Sequence, residues 1–135
     1  MLRLPGIYGP GRSALDRVRK HRAQRIDLLG QVFSRVHVDD IVSGAMLALE
    51  APAGAYNLAD DEPASQNAVI DYACALLKVP PLPLLTLEQA QLSPQARAFY
   101  DENRRVANTR AKRVLGWSPR YPTYREGLAA LTATA

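Results

Sequence analysis

Residues 1–12 read MLRLPGIYGPGR: an apolar run, then Gly6, Gly9 and Gly11, then an arginine. A strand, a glycine turn and a helix in that order can open a nucleotide-binding α/β unit, so the spacing of the glycines decides the reading. A dinucleotide fingerprint needs G-x-G-x-x-G. The chain has G-x-x-G-x-G, and Pro10 removes an N–H where a phosphate needs a donor. No acidic residue ends a following strand at the distance that would hold a ribose, and the P-loop pattern is absent. The stretch reads instead as a strand over Leu2 to Leu4 that leaves through a turn, with the glycines supplying positive φ.

The pattern continues outward from that turn. Ser13, with Asp16 three residues on, predicts a helix N-cap, and the helix runs through Leu15 and Val18 to about His21. QVFSRVHV (31–38) alternates Val32, Ser34 and Val36 against Phe33, Arg35 and His37, which predicts a short strand. Val38, Ile41, Val42, Ala45, Met46 and Leu49 form one apolar stripe on a helix over Asp39 to Glu50. GAYNLAD (54–60) is a further strand. Ser65 caps a helix whose stripe is Val69, Tyr72, Ala73, Leu76 and Leu77. VPPLPLL (79–85) is stiff and extended. Thr86 with Gln89, and Thr123 with Glu126, make capping boxes, while Ser93-Pro94 places proline at a first helical position. Gly116 suits a left-handed helix end, with Trp117 folding back on the last turn. The order predicts an α/β fold: a small, mostly parallel sheet of three strands with flanking helices.

Composition narrows the class. The chain has 135 residues, 47% hydrophobic and 22% charged, the profile of one ordinary globular domain. Its one cysteine, Cys74, sits in an apolar helical stretch, and that placement reads as a buried, inert thiol. A lone cysteine and the lack of a bilayer-length apolar run point to a cytoplasmic protein with no membrane contact. The formal charge is +4, concentrated in RVRKHRAQR (17–25) and NRRVANTRAKR (103–113). Neither run interleaves aromatic stacking platforms, so no nucleic-acid partner is expected. Solvated helix faces, or arginines that meet an anionic small molecule, account for them. His37 with Asp39 and Asp40 is no metal site by pattern: adjacent carboxylates on a helix diverge, and both suit its positive N-terminal end. His37 reads as a strand-end residue bonded to nearby main chain. DDEPAS (60–65) reads as a turn into a capped helix.

Four blocks in order resemble a known family: LRLPGIYGPGR, FSRVHVDDIVSGAMLALE, GAYNLADDEPASQNAVIDYACALL and RAKRVLGWSPRYPTYREGL. Together they are similar to the C-terminal, substrate-side part of an extended short-chain dehydrogenase/reductase of the NAD(P)-dependent epimerase/dehydratase kind. The resemblance implies a partial Rossmann-like fold over residues 1–135, one partial domain without the N-terminal nucleotide-binding region. It implies a parent that performs oxidoreduction, epimerisation or dehydration on a hydroxyl-bearing small molecule, with NAD or NADP as cofactor. The family's Tyr-x-x-x-Lys pair does not occur. Tyr8, Tyr100 and Tyr121 are each followed by arginine at that distance, and Tyr56, Tyr72 and Tyr124 by Asp60, Leu76 and Leu128. No catalytic residue is therefore expected in this chain, and no cofactor is expected to bind it alone.

By the same resemblance, Leu4, Pro5, Gly6 and Ile7 would pass beneath the nicotinamide end of the cofactor. Tyr8 and Arg12 would line the substrate side. Nucleotide-sugar members carry asparagine at Gly6, a diphosphate-binding arginine at Phe33, and an Arg-x-Gly-Asp element near ENRRVAN (102–108); all three are replaced here. Arg35, on the same strand face as Phe33, could take over an anionic contact, as could Arg104 and Arg105. The competing class is a non-catalytic module that binds a partner chain through an open sheet edge.

Overall fold

The computed structural model describes residues 1–27, 31–101 and 106–133. The opening apolar run divides at Leu4-Pro5, giving β1 (Leu2–Arg3) and β2 (Gly6–Tyr8). Proline has no N–H to give a ladder, so the chain changes partner across it. β1 lies parallel to β5 (Tyr56–Asn57), while β2 lies parallel to β4 (Arg35–His37). β3 (Arg25–Ile26) pairs, again parallel, with β6 (Leu84–Leu85) from the proline-rich stretch. The single three-stranded sheet expected from sequence is thus three two-stranded parallel sheets among the described residues. The α/β class and the parallel sense stand. Asn67 fastens the β3 end: its side chain donates to the Ile26 carbonyl at 2.7 Å and accepts from the Ile26 N–H at 3.0 Å.

Three helices pack on one another to form the larger core. They are α1 (Ala14–Arg19), α3 (Gln66–Leu77) and α7 (Tyr124–Ala133). Leu15, Ile70, Ala73, Cys74 and Leu128 are sealed between them, and burial pushes the Cys74 thiol pKa up, as an inert thiol requires. A second core gathers Val36, Tyr56, Leu58, Ala111, Leu115 and Trp117 around β5, beneath α2 (Val38–Ala48) and α6 (Thr109–Leu115). The short α4 (Leu87–Ala90) and α5 (Pro94–Asp101) complete the described elements.

Most local signals act as read. The Ser65 hydroxyl accepts from the Ala68 N–H, and Thr86 and Gln89 form a reciprocal capping box. Pro94 opens α5, and Gly116 ends α6 at φ 68°. Thr123 accepts from the Arg125 N–H and donates its hydroxyl to the Glu126 carboxylate, which ties the same two residues by different bonds from those of a capping box. Ser13 occupies the N-cap of α1, but its hydroxyl donates to Asp16 at 3.0 Å instead of capping the backbone. Of the first three glycines only Gly11 has positive φ, at 74°. Gly9 is needed for approach: a Cβ there would lie 2.6 Å from Val38 Cγ1.

The largest departure is the face of α2. Part of its apolar stripe looks outward, with Val42 56%, Met46 68% and Leu49 84% exposed, while Ile41 and Ala45 are half-buried and Ile41 packs on the second core. The buried positions are Asp40 and Gly44. Leu58 presses where a Cβ on Gly44 would stand, at 2.6 Å, and the Trp117 indole N–H donates to the Asp40 carbonyl at 3.0 Å. Trp117 folds back on the last turn of α6, its backbone N–H reaching the Ala111 carbonyl at 3.4 Å, and its indole also bonds to α2.

Candidate functional site

A cavity of about 970 Å³ opens around β2 and the turn that follows it. Leu4, Pro5, Gly6 and Ile7 line one part of its wall; Tyr8, Arg12, Phe33 and Arg35 line another. All eight described residues singled out from sequence therefore meet at one place. Arg104 and Arg105 lie outside the described residues.

Parallel pairing builds this convergence. The register sets Gly6 against Arg35, Ile7 against Val36 and Tyr8 against His37. Beyond β2, Gly9 and Arg12 exchange backbone hydrogen bonds at 2.9 and 3.0 Å, and this tight turn carries Arg12 to the cavity edge. On the other side, Phe33 forms a two-way backbone bridge with Ala64, and Ser34 accepts from the Val106 N–H at 2.7 Å. Phe33, Ser34 and Arg35, leading into β4, all reach the cavity.

Arg35 is a cation only 8% exposed. Its Nη2 donates to the Ala64 carbonyl at 2.9 Å, and its guanidinium stands over the Tyr124 ring at 5.8 Å. Its Nη1 has no hydrogen-bond partner. Burial lowers its pKa, with Asp60 the leading opposing influence. Asp60 is itself 3% exposed, and burial raises its carboxyl to about 7 against the pull of the Glu62 N–H and of Arg35. The Asp60 Oδ2 and the Tyr8 hydroxyl are likewise without partners. Burial, then Asp60, holds the Tyr8 phenol well above its ordinary pKa, so Tyr8 keeps its proton and cannot serve as a base near neutrality.

His37 lies behind Tyr8. The two rings meet edge-on at 5.2 Å, and Tyr121 covers the other side at 4.3 Å. His37 Nδ1 accepts from the Asp39 N–H at 3.0 Å and caps α2, which is the main-chain bond read from sequence. Burial lowers its pKa, so the neutral ring carries its proton on Nε2. Asp40 is a tie and not a ligand: its carboxylate accepts from the Arg120 and Tyr121 N–H groups at 2.6 and 3.1 Å. No group of three or more metal-ligating side chains occurs among the described residues.

Three participants were not singled out by sequence. Asp60 lay inside a presumed turn, and Tyr124 and Gly127 inside a helix. α7 approaches so closely that a Cβ on Gly127 would stand 1.9 Å from the Tyr8 hydroxyl oxygen. Only chain-distant packing discloses that contact.

Solved Rossmann-like epimerases share this fold, and the chain covers about half of each. It is 44% identical to a conserved protein of unknown function from Silicibacter pomeroyi, with a TM-score of 0.88 over 98% of this chain and 47% of that one. It is 34% identical to a 3-diazoavenalumate denitrifying reductase from Streptomyces, over 95% of this chain and 45% of that protein. The human epimerase family protein SDR39U1, solved with NADPH, shares 20% identity at a TM-score of 0.78, over 99% of this chain and 48% of that one. The chain thus spans about half the length of the relatives it matches. No family profile matches it. Among the described residues no helix is long and apolar enough to cross a membrane.

Proposed function

We propose that these residues form the substrate-side part of an NAD(P)-dependent oxidoreductase or epimerase/dehydratase that acts on a hydroxyl-bearing small molecule. The observation that carries the reading is the single cavity that gathers Leu4 to Ile7 with Tyr8, Arg12, Phe33 and Arg35. In this reading the β2 wall lies under the nicotinamide end of the dinucleotide, which supplies or accepts the hydride when bound. The residues present suit that end alone: the glycines lack phosphate-binding spacing, and Pro10 lacks an N–H. Tyr8, Arg12, Phe33 and Arg35 hold the substrate. Exchange of arginine for Phe33 weighs against nucleotide sugars, because phenylalanine makes no bidentate phosphate contact. The reductase relative supports a reduction.

Neither the glycine fingerprint nor the Tyr-x-x-x-Lys pair occurs in the 135 residues. The reading therefore places both in a preceding segment and makes this portion inactive alone. The half-length match and the outward apolar face of α2 support that division. A cytoplasmic setting fits the buried thiol of Cys74. The test is the coding DNA in frame ahead of Met1. An open frame encoding a glycine fingerprint and Tyr-x-x-x-Lys is expected; a ribosome-binding site with upstream stop codons would overturn the reading.

A further inference from the structure

We propose that the cavity takes a ligand whose apolar body carries a carboxylate, and that Arg35 receives this carboxylate. The inference rests on the reading of the cavity as a substrate site and names the substrate's chemical class. The first support is charge. Arg3, Arg12, Arg17, Lys20, Arg22 and Arg35 line the cavity against one carboxylate, Asp16, which already accepts the Ser13 hydroxyl. Such a wall attracts anions.

The second support is Arg35 itself. A buried guanidinium needs a counter-ion and filled hydrogen bonds. Among the described residues none of the ion pairs involves Arg35, and its Nη1 has no hydrogen-bond partner although Arg35 lines the cavity. The carboxyl that most influences it, Asp60, makes no ion pair with it. The site is thus short of negative charge. A carboxylate matches the fork that one guanidinium offers. Phe33, Val69, Tyr124 and Leu128 on the same wall suit an apolar body.

Isothermal titration of the 135-residue chain, without cofactor, tests this with 3-phenylpropanoate, its neutral amide and inorganic phosphate. The acid is expected to bind at least tenfold more tightly than the amide and than phosphate. Arg35→Met, with a circular dichroism spectrum matching the parent, is expected to lose at least tenfold for the acid while leaving the amide within twofold. Equal affinity for acid and amide, retention of acid binding in Arg35→Met, phosphate binding as tight as the acid, or no binding of any probe would each overturn the proposal. Should Arg35→Met fail to fold, the acid-to-amide ratio of the parent chain decides. Acid selectivity in a chain whose upstream frame lacks the fingerprint would sink the dehydrogenase reading while the carboxylate site stands.

Discussion

Asp40 is a carboxylate at 1% exposure whose two oxygens each take a backbone N–H, from Arg120 and from Tyr121. It joins the start of α2 to the loop before α7, which are far apart in sequence. Removing it leaves two part-buried N–H groups without the carboxylate, at roughly 1–3 kcal/mol each where water does not replace it. Asp40→Ala is therefore expected to lower stability by about 2–5 kcal/mol in urea unfolding; a loss within 0.5 kcal/mol would show the tie to be idle. Asp60 gives the opposite lesson. Its folded pKa of about 7 lies above the ordinary 3.8, so the native chain holds a proton that the unfolded chain has lost. Its contribution is complete below about pH 4 and fades as pH rises through 7. Stability is expected to drop by roughly 1–3 kcal/mol across that window, and Asp60→Asn to flatten the drop. An Asp60→Asn profile parallel to the parent would contradict the assignment. The helix-start reading covered Asp40's charge but missed its distant partners, because a dipole is local and a loop's return is not.

At the scale of elements, α2 shows how a correct helix can present an unexpected face. Its period was legible, yet Gly44 and Asp40 took the inside because Leu58 and Trp117 filled that side. Gly44→Ala drives a Cβ to 2.6 and 2.8 Å from the Leu58 methyls and is expected to cost roughly 1–3 kcal/mol, although alanine is the better helix former. A stabilised Gly44→Ala chain in thermal melts would show that Leu58 can move away. Caps were legible at Ser65, Thr86 and Pro94, since each is satisfied within one turn of its own helix. Ser13 also stands at the N-cap it was read to occupy, but Asp16 takes its hydroxyl and no side-chain cap bond forms. Strand partners were the least legible. Two-residue strands leave hardly any alternation to read, and Pro5 moves the chain from one ladder to another.

Across the whole molecule, the exposed Val42, Met46 and Leu49 and the absence of a phosphate-spaced glycine turn bear on the same division of labour. Calorimetry of the isolated chain with NADH and NADPH is expected to show no binding; micromolar affinity would mean these residues hold a dinucleotide by themselves. Sedimentation at rising concentration is expected to reveal self-association through apolar surface, and a sharp monomer throughout would count against it. The sequence by itself determined the α/β class, most helix ends and the buried cysteine, because caps and periods act over a few residues; the eight residues that line one cavity were reached only through the family resemblance. The tertiary structure alone decided that α2 turns part of its apolar stripe outward, that the strands pair two by two, and that Tyr8, Arg35 and Tyr124 line one cavity while Asp60 is buried. Those outcomes depend on which distant surfaces meet, since burial and unpaired charge are properties of the assembled chain and not of any segment within it.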